Sequence, residues 1–327
     1  MTSLPDRPTR RSLVAAAAAT ILARPSLAQE GYPSRPIRLV VPYPPGGGND
    51  DVARMLAEGV SRGLGHPVVV ENRPGASGML AGEFVSRSAP DGHTIMVDQS
   101  SLVMNPALFG RTPFDVQKDL APITLAVTVG IIVVAHPSLP ARNVAELIAL
   151  AKAQPGRINY ASPGNGTPQH IDMEVLKRAA GIDLVHVPYR GGAPATLALL
   201  ANEAQLLLSG TSAVPHIQAG TMRALATAGL RRSSLLPDVP TVNESGLPGY
   251  ESGVWIGFFA PARTPAPIIA RLNAEFTRVL QGEEMRRRFT EKNMEVVAST
   301  PDAFAEVIDR DLGRYTAVIR ELGIRPD

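Results

Sequence analysis

The feature that most constrains this chain is a repeated order. A short apolar run is followed by a loop of small and polar residues, then by apolar residues at helical spacing. Ile37–Val41 is the first such run, apolar at nearly every position, as strands buried on both faces are. Val52, Met55, Leu56 and Val60 then share one helical face, and Gly63 and Gly65 end it. Further runs predict strands at Val68–Val70, Thr94–Val97, Ile158–Tyr160, Leu184–Val187, Leu206–Leu208, Arg223–Ala226 and Trp255–Phe259. Helical patterns separate most of them. Leu125–Ala135 is a β-branched run long enough to pass between two sheets. After Pro265 the pattern is mostly helical, with Ile268, Leu272, Phe276 and Leu280 at four-residue steps. Such alternation predicts an α/β fold whose mostly parallel sheets are flanked by helices.

In sheets of this kind ligands sit at the carboxyl ends of the strands. The small-residue loops fall there. Two of them echo each other: "VPYPPGGGNDDVARML" (Val41–Leu56) and "VHVPYRGGAPATL" (Val185–Leu197). Each joins an apolar run to a helix through Val-Pro-Tyr and a Gly cluster. Gly lets backbone N–H groups approach a ligand, and the helix that follows offers unpaired N–H groups and the positive end of its dipole. An anion is the natural occupant. The first loop lacks the Lys of a nucleoside-triphosphate loop and does not match G-x-G-x-x-G. Asn49-Asp50-Asp51 follows its glycines, and two carboxylates would repel a pyrophosphate. A small carboxylate fits better. Asn49 or Asp50 is also expected to cap the helix. Tyr43 and Tyr189 occupy matched positions, and Arg190 could clamp a carboxylate.

The segments divide naturally into two lobes, which 327 residues can supply. Residues 29–132 plus 252–327 are expected to form the first and residues 133–251 the second. The connections fall near Val129–Val133 and Glu251–Gly253, with the tail helices packing back on the first lobe. Residues 1–28 are set apart. A basic start (Arg7, Arg10, Arg11), an apolar stretch Leu13–Leu22 and Ser26-Leu27-Ala28 make a secretory signal with cleavage after Ala28. Arg10-Arg11 suggests the twin-arginine route. Without it the chain loses four Arg (Arg7, Arg10, Arg11, Arg24) and Asp6, so a net charge of +2 becomes −1. The compositional case for nucleic-acid binding goes with it.

Cysteine is absent, which excludes disulfides, thiolate metal sites and thiol nucleophiles. None of the six His lies in H-E-x-x-H, and no G-x-S-x-G elbow occurs. His186 lies inside an apolar run, where a satisfied core His is expected. No cofactor, metal or catalytic residue is expected. An enzyme acting on an organic acid in the same cleft would need a titratable pair, for which the loops offer Asp50 with His170 or Tyr189. A ligand-binding sensor partner is the third reading.

The motifs together resemble a known family. "YPSRPIRLVVPYPPGGGNDDVARML", "VVVENRPGASG", "PDGHTI", "LPARNVAELIALAKAQPGRINYASPGNGTPQH", "VHVPYRGGAPATL", "LPDVPTVNESGLPGYE" and "GFFAPARTP" resemble the Bug-type receptors, the periplasmic solute-binding proteins of tripartite tricarboxylate transporters. The resemblance spans nearly all of the chain after Ala28. It implies a two-lobed periplasmic binding protein (Venus flytrap), monomeric, that captures a small organic carboxylate and delivers it to membrane permease subunits. Ligand contacts implied in the first lobe are Gly46, Gly47, Gly48, Asn49 and Asp50, with Gln99, Ser100 and Ser101. Those in the second are Asn165, Gly166, Thr167 and His170, with Tyr189, Arg190 and Gly191. The chain departs from relatives at Ala198, Gln205 and Ser209, where acidic residues are common. Ser209 thereby joins the candidate site, and the loss of an acid there argues against an amino-acid ligand.

Overall fold

Ile37, Leu39, Val40 and Val41 have no solvent exposure, and the reason is their place inside a sheet. A computed structural model describes residues 31–229, 231–250 and 252–325. The signal-like segment 1–28 lies outside the described residues, as does Glu251 of the second expected connection.

The elements follow in chain order: β1 (Ile37–Val41), α1 (Gly48–Leu64), β2 (Val68–Asn72), α2 (Met79–Ser86), β3 (Thr94–Gln99), α3 (Ser101–Phe109), α4 (Val116–Asp119) and β4 (Leu120–Val129). Next come β5 (Ile132–Ala135), α5 (Val144–Ala153), β6 (Asn159–Ser162), α6 (Pro168–Ala180), β7 (Val185–Pro188), α7 (Gly192–Leu200), β8 (Leu206–Ser209), α8 (Val214–Gln218) and β9 (Arg223–Thr227). The chain ends with β10 (Val254–Pro261), α9 (Ala266–Leu280), α10 (Glu283–Glu291), β11 (Met294–Val296) and α11 (Pro301–Leu322).

Two sheets result. The first has the order β11-β4-β10-β3-β1-β2, the second β7-β6-β8-β5-β9. Both are mixed rather than mostly parallel. In the first sheet β1 runs parallel to β2 and β3, while β10 is antiparallel to β3 and β4. In the second β6 is parallel to β7 and β8, while β5 is antiparallel to β8 and β9. The antiparallel strands are those the chain uses to pass between the sheets. A strand entering from the other sheet runs against those built by helical crossovers.

Alternation along each strand divides its side chains between two helix layers. Leu39, Val41, Ile95 and Val97 pack with Val52, Leu56 and Val60 of α1 and with Leu272, Phe276 and Leu280 of α9. Val40 and Met96 face the other way, toward Leu102 of α3 and Phe304, Ile308 and Tyr315 of α11. The second sheet is covered by α5 and α6 on one face and by α7 and α8 on the other. Each fully buried aliphatic side chain contributes about 1.5–3 kcal/mol. Side chains of α9 and α11 thus pack on the first sheet. The tail also adds β11, an edge strand on β4, which its three residues did not announce.

Between β4 and β5 the chain passes from one sheet to the other at Gly130-Ile131. Gly130 exchanges backbone and side-chain bonds with Asn293: its N–H donates to the Asn293 carbonyl at 2.8 Å, and Asn293 Nδ2 donates to the Gly130 carbonyl at 3.0 Å. A Cβ on Gly130 would lie 2.5 Å from Asn293 Nδ2, so a larger residue there would have to displace the Asn293 side chain and its bond to the crossing. On the return, Ser252 N–H donates to the Ala228 carbonyl at 3.0 Å, and the Ala228 N–H donates to the Ile131 carbonyl at 2.8 Å, tying the second connection to the first through Ala228.

Candidate functional site

Because β1, β2 and β3 are parallel, their carboxyl ends share one edge of the first sheet. The loops at residues 42–47 and 73–78, and the junction at 99–100, meet there. In the second sheet β6, β7 and β8 likewise bring residues 163–167, 189–191 and 210 to one edge.

The first loop is held from within. Gly47 is the N-cap of α1 and carries no side-chain cap, so neither Asn49 nor Asp50 takes the capping role expected of it. Asp50, at the third helical position, instead reaches back past the N-cap to accept from the Gly46 N–H at 2.9 Å. The same carboxylate accepts from Arg54 Nε at 2.9 Å and from Asn72 Nδ2 at 2.9 Å. Arg54, with help from Gly46 and Asn72, outweighs burial and holds the carboxyl down at about 2. Asn72 also donates to the Tyr43 carbonyl at 3.0 Å, so the end of β2 clamps both flanks of the glycine triplet. Gly46 has φ +87°, a conformation that favours glycine. Gly46, Gly47 and Gly48 are exposed, whereas Asn49 is buried and its Oδ1 lacks a hydrogen-bond partner.

Tyr43 ties this loop to the end of β3. Its hydroxyl lies 2.8 Å from Ser101 Oγ and 3.4 Å from Asp98 Oδ1, and Gln99 Nε2 reaches it at 3.5 Å. Burial, and then the nearby Asp98 carboxylate, raises the phenol well above its ordinary value. Ser100 is fully buried, caps α3 without a side-chain bond, and has an unpartnered Oγ. Tyr43, Gln99 and Ser101 therefore form one cluster with Asp98. The sequence reading did not single out Asp98. Its signal was an acid ending the otherwise apolar β-run of Ile95–Val97.

The second sheet's edge is built differently. Thr167 caps α6, its Oγ1 accepting from His170 N–H at 3.4 Å and donating to the Gly164 carbonyl at 2.8 Å. His170 Nδ1 accepts from the Gly166 N–H at 3.1 Å. Its ring stacks on His186 at 3.9 Å, and His186 stacks on Tyr160 at 4.8 Å. His186 Nε2 lies 2.6 Å from Ser162 Oγ, so the expected satisfied core His is half-buried in a ladder under the loop. Asn165 is half-buried beside it.

The segment after β7 is pinned to the one after β6. Tyr189 N–H donates to the Ser162 carbonyl and Gly191 N–H to the Pro163 carbonyl, both at 2.9 Å. Gly191 has φ +108° and caps α7 without a side-chain bond. Arg190 is exposed. The Tyr189 hydroxyl donates to Glu203 at 3.2 Å, so it serves the far end of α7 rather than a neighbouring loop. Ser209 closes β8, its Oγ 3.3 Å from Ser212 Oγ. Gln205, at the opposite end of that strand, accepts from the Asn159 N–H at 3.0 Å and stands apart from the loops. Ala198 is buried in α7.

Chemically, α1 and α7 both begin with glycine and leave the first turn without a side-chain acceptor. Such helix starts receive anions. Of the groups an enzyme's titratable pair could draw on, Asp50 is bound by Arg54, His170 Nδ1 by the Gly166 N–H and Tyr189 by Glu203. Among the described residues no group of three metal-ligating side chains occurs.

Residues 52–324 match the sequence pattern of the family described as "Tripartite tricarboxylate transporter family receptor". The protein BugT of Bordetella pertussis is 35% identical over 297 residues, covering 90% of this chain and 91% of its own. The periplasmic binding protein BugD is similar in structure, with a TM-score of 0.70 and 32% identity over 90% of this chain and all (100%) of its own. MatC from Rhodopseudomonas palustris, solved with bound malate, gives a TM-score of 0.70 and 32% identity, covering 88% of this chain and 100% of its own.

Proposed function

The chain belongs to the receptor family of the tripartite tricarboxylate transporters, and from that premise we propose that it captures a small organic carboxylate between two lobes. It is a solute-binding receptor of the periplasmic type, and such receptors work with membrane permeases. Among the described residues no helix is long and apolar enough to cross a membrane.

One observation carries the assignment of the site. The two echoing loops each end on a helix with a glycine N-cap and no side-chain cap. Of the other two helices that open on candidate residues, α6 is capped by its own Thr167, and α3 has Ser100, not a glycine, at its N-cap, where the side chain makes no capping bond. On this reading the ligand's carboxylate lies on the N–H groups of Gly47, Gly48 and Asn49 from one lobe. Gly191 and Gly192 approach it from the other. Tyr43 and Ser101 supply hydroxyls beside it. Gly166, Asn165 and Ser209 line the second lobe, with Arg190 at the rim. Asp50 and His170 hold their loops in shape.

The lobes are residues 29–132 with 252–327, and residues 133–251. They close about Gly130-Ile131 and Ser252-Gly253, a hinge between rigid sheets. The protein acts as a monomer, exported with cleavage after Ala28, and performs no chemistry on what it binds. Ligands with a free amino group are disfavoured, since Ser209 offers no charge to pair with it.

Thermal-shift screening against dicarboxylates, tricarboxylates, aromatic acids and amino acids tests this reading. Calorimetry on the hits and an assay for chemical change complete it. The expected result is stabilisation by a carboxylate that is recovered unaltered. Turnover of the ligand, or tighter binding of aspartate than of its deaminated analogue, would overturn the corresponding part.

A further inference from the structure

Asp98 stands beneath the first-lobe edge with no solvent exposure. It lies within the sheet, paired across the strands with Gly257 of β10. One oxygen, Oδ1, accepts from the Gln99 N–H at 2.7 Å and from the Tyr43 hydroxyl at 3.4 Å. The other, Oδ2, is buried without a hydrogen-bond partner. Gly78 gives it room: a Cβ there would come within 3.2 Å of Oδ2, and Gly78 has φ +89° besides. A buried carboxyl with one bare oxygen is costly when ionised and much less so when protonated.

Among the described residues packed against it, no cation faces that carboxyl. The end of β1 presents Pro42 and Tyr43, the start of α2 presents Gly78, α3 presents Ser101, and β10 presents Gly257. Tyr43 is the titratable member of this set. Asp50, the acid of the adjoining helix, is already bound to Arg54. Burial pushes the Asp98 carboxyl up to about 7, opposed by the Gln99 N–H and the Tyr43 hydroxyl.

We propose that Asp98 couples anion binding to proton uptake, acting through Tyr43 on the hydroxyl of Ser101. The inference rests on the carboxylate-receptor reading above. Tyr43 has one hydroxyl hydrogen and two claimants, Asp98 Oδ1 at 3.4 Å and Ser101 Oγ at 2.8 Å. An ionised Asp98 draws that hydrogen inward. An arriving carboxylate then meets both a misdirected donor and a second negative charge under poor screening. With Asp98 neutral, Tyr43 donates to Ser101, and the Ser101 hydrogen turns to the ligand. The balance is one proton moving from solvent to Asp98 Oδ2, with no heavy-atom bond made or broken. Asp98 is a positioning residue that never touches the ligand.

The test is isothermal titration of the full mature protein with malate and with adipate, in buffers of different ionisation enthalpy. For the wild type, affinity should fall about tenfold between about pH 6 and about pH 8, with proton uptake rising alongside. Asp98→Asn, a permanently neutral isostere, should lose that slope and bind about tenfold more tightly than wild type at about pH 8. A merely structural role would not produce a gain. Tyr43→Phe should weaken binding at low pH and reduce the slope. Wild-type affinity that is level across this range, with no proton exchanged, overturns the proposal even if Asp98→Asn cannot be folded. So does an Asp98→Asn variant that keeps the slope. Binding by neither acid, nor by any in a wider carboxylate panel, would instead remove the receptor reading and this proposal with it.

Discussion

Val41-Pro42-Tyr43 and Val187-Pro188-Tyr189 are the same tripeptide leading into glycines and a helix, yet the fold treats them differently. Tyr43 turns to Ser101, Gln99 and Asp98 and joins two loops of one edge. Tyr189 turns along its own helix to Glu203. The first loop is braced by an ion pair: Asp50, Arg54 and Asn72 hold the glycines. The second is braced by backbone bonds to Ser162 and Pro163. What the loops share is the bare glycine start of α1 and α7. The comparison separates what an anion needs, exposed N–H groups, from how each lobe fixes them in place.

The largest effect is expected at the first loop. Gly47 has φ −85°, and its nearest neighbour to an added Cβ is the Pro44 carbonyl at 3.8 Å. Valine there fits the backbone but covers the N–H groups. Gly47→Val should weaken ligand binding at least about 100-fold, near 2.7 kcal/mol, with an unchanged melting temperature. Binding at wild-type strength in calorimetry would remove this loop from the site.

Next is the brace itself. The Asp50 carboxyl is held at about 2 in the fold, below its unfolded value near 4. Its contribution is therefore complete above about pH 4 and disappears as pH falls toward 2. Allowing for the exposed Arg54 partner, it is worth about 1–2 kcal/mol. Urea unfolding of Asp50→Asn should show that deficit at neutral pH and a smaller one near pH 3. In the second lobe Thr167→Ala removes an uncharged hydroxyl cap and should cost about 1 kcal/mol without the acid-sensitive component seen at Asp50.

Gly192→Val probes the second jaw at a position where no atom lies within 4 Å of an added Cβ. A loss of about tenfold or less, roughly 1.4 kcal/mol, would make the second lobe the weaker partner. A loss equal to that of Gly47→Val would make the jaws equivalent. The smallest effect belongs to Tyr189→Phe. Removing its half-exposed bond to Glu203 should change stability by less than about 0.5 kcal/mol and leave affinity within about twofold. A larger loss of affinity would bring Tyr189 to the ligand after all, as its echo of Tyr43 suggested.

Much of the architecture was legible because burial leaves a local mark. Ile37–Val41 reads as an inner strand because both of its faces are covered, and Leu125–Ala135 spans two sheets with only Gly130-Ile131 between its strands. Ile268, Leu272, Phe276 and Leu280 show the helical stripe that packs on the first sheet. Less legible were features set by partners far along the chain. β11 is only three residues long, and its pairing with β4 makes it a strand. Asp50 had the composition of an N-cap. Arg54 and Asn72 drew it away and left Gly47 at that position.

The amino-acid sequence by itself determined the order of strands and helices, the family, and the places where glycines open the backbone at strand ends. Periodicity and turn chemistry act over a few residues and can be read there. Only the tertiary structure decided the sense of the strands, the different fates of two identical tripeptides and the bare oxygen of Asp98. Those depend on which polar groups meet after β3, β10, Gly78 and Tyr43 converge. A hydrogen bond between distant segments leaves no pattern in either one.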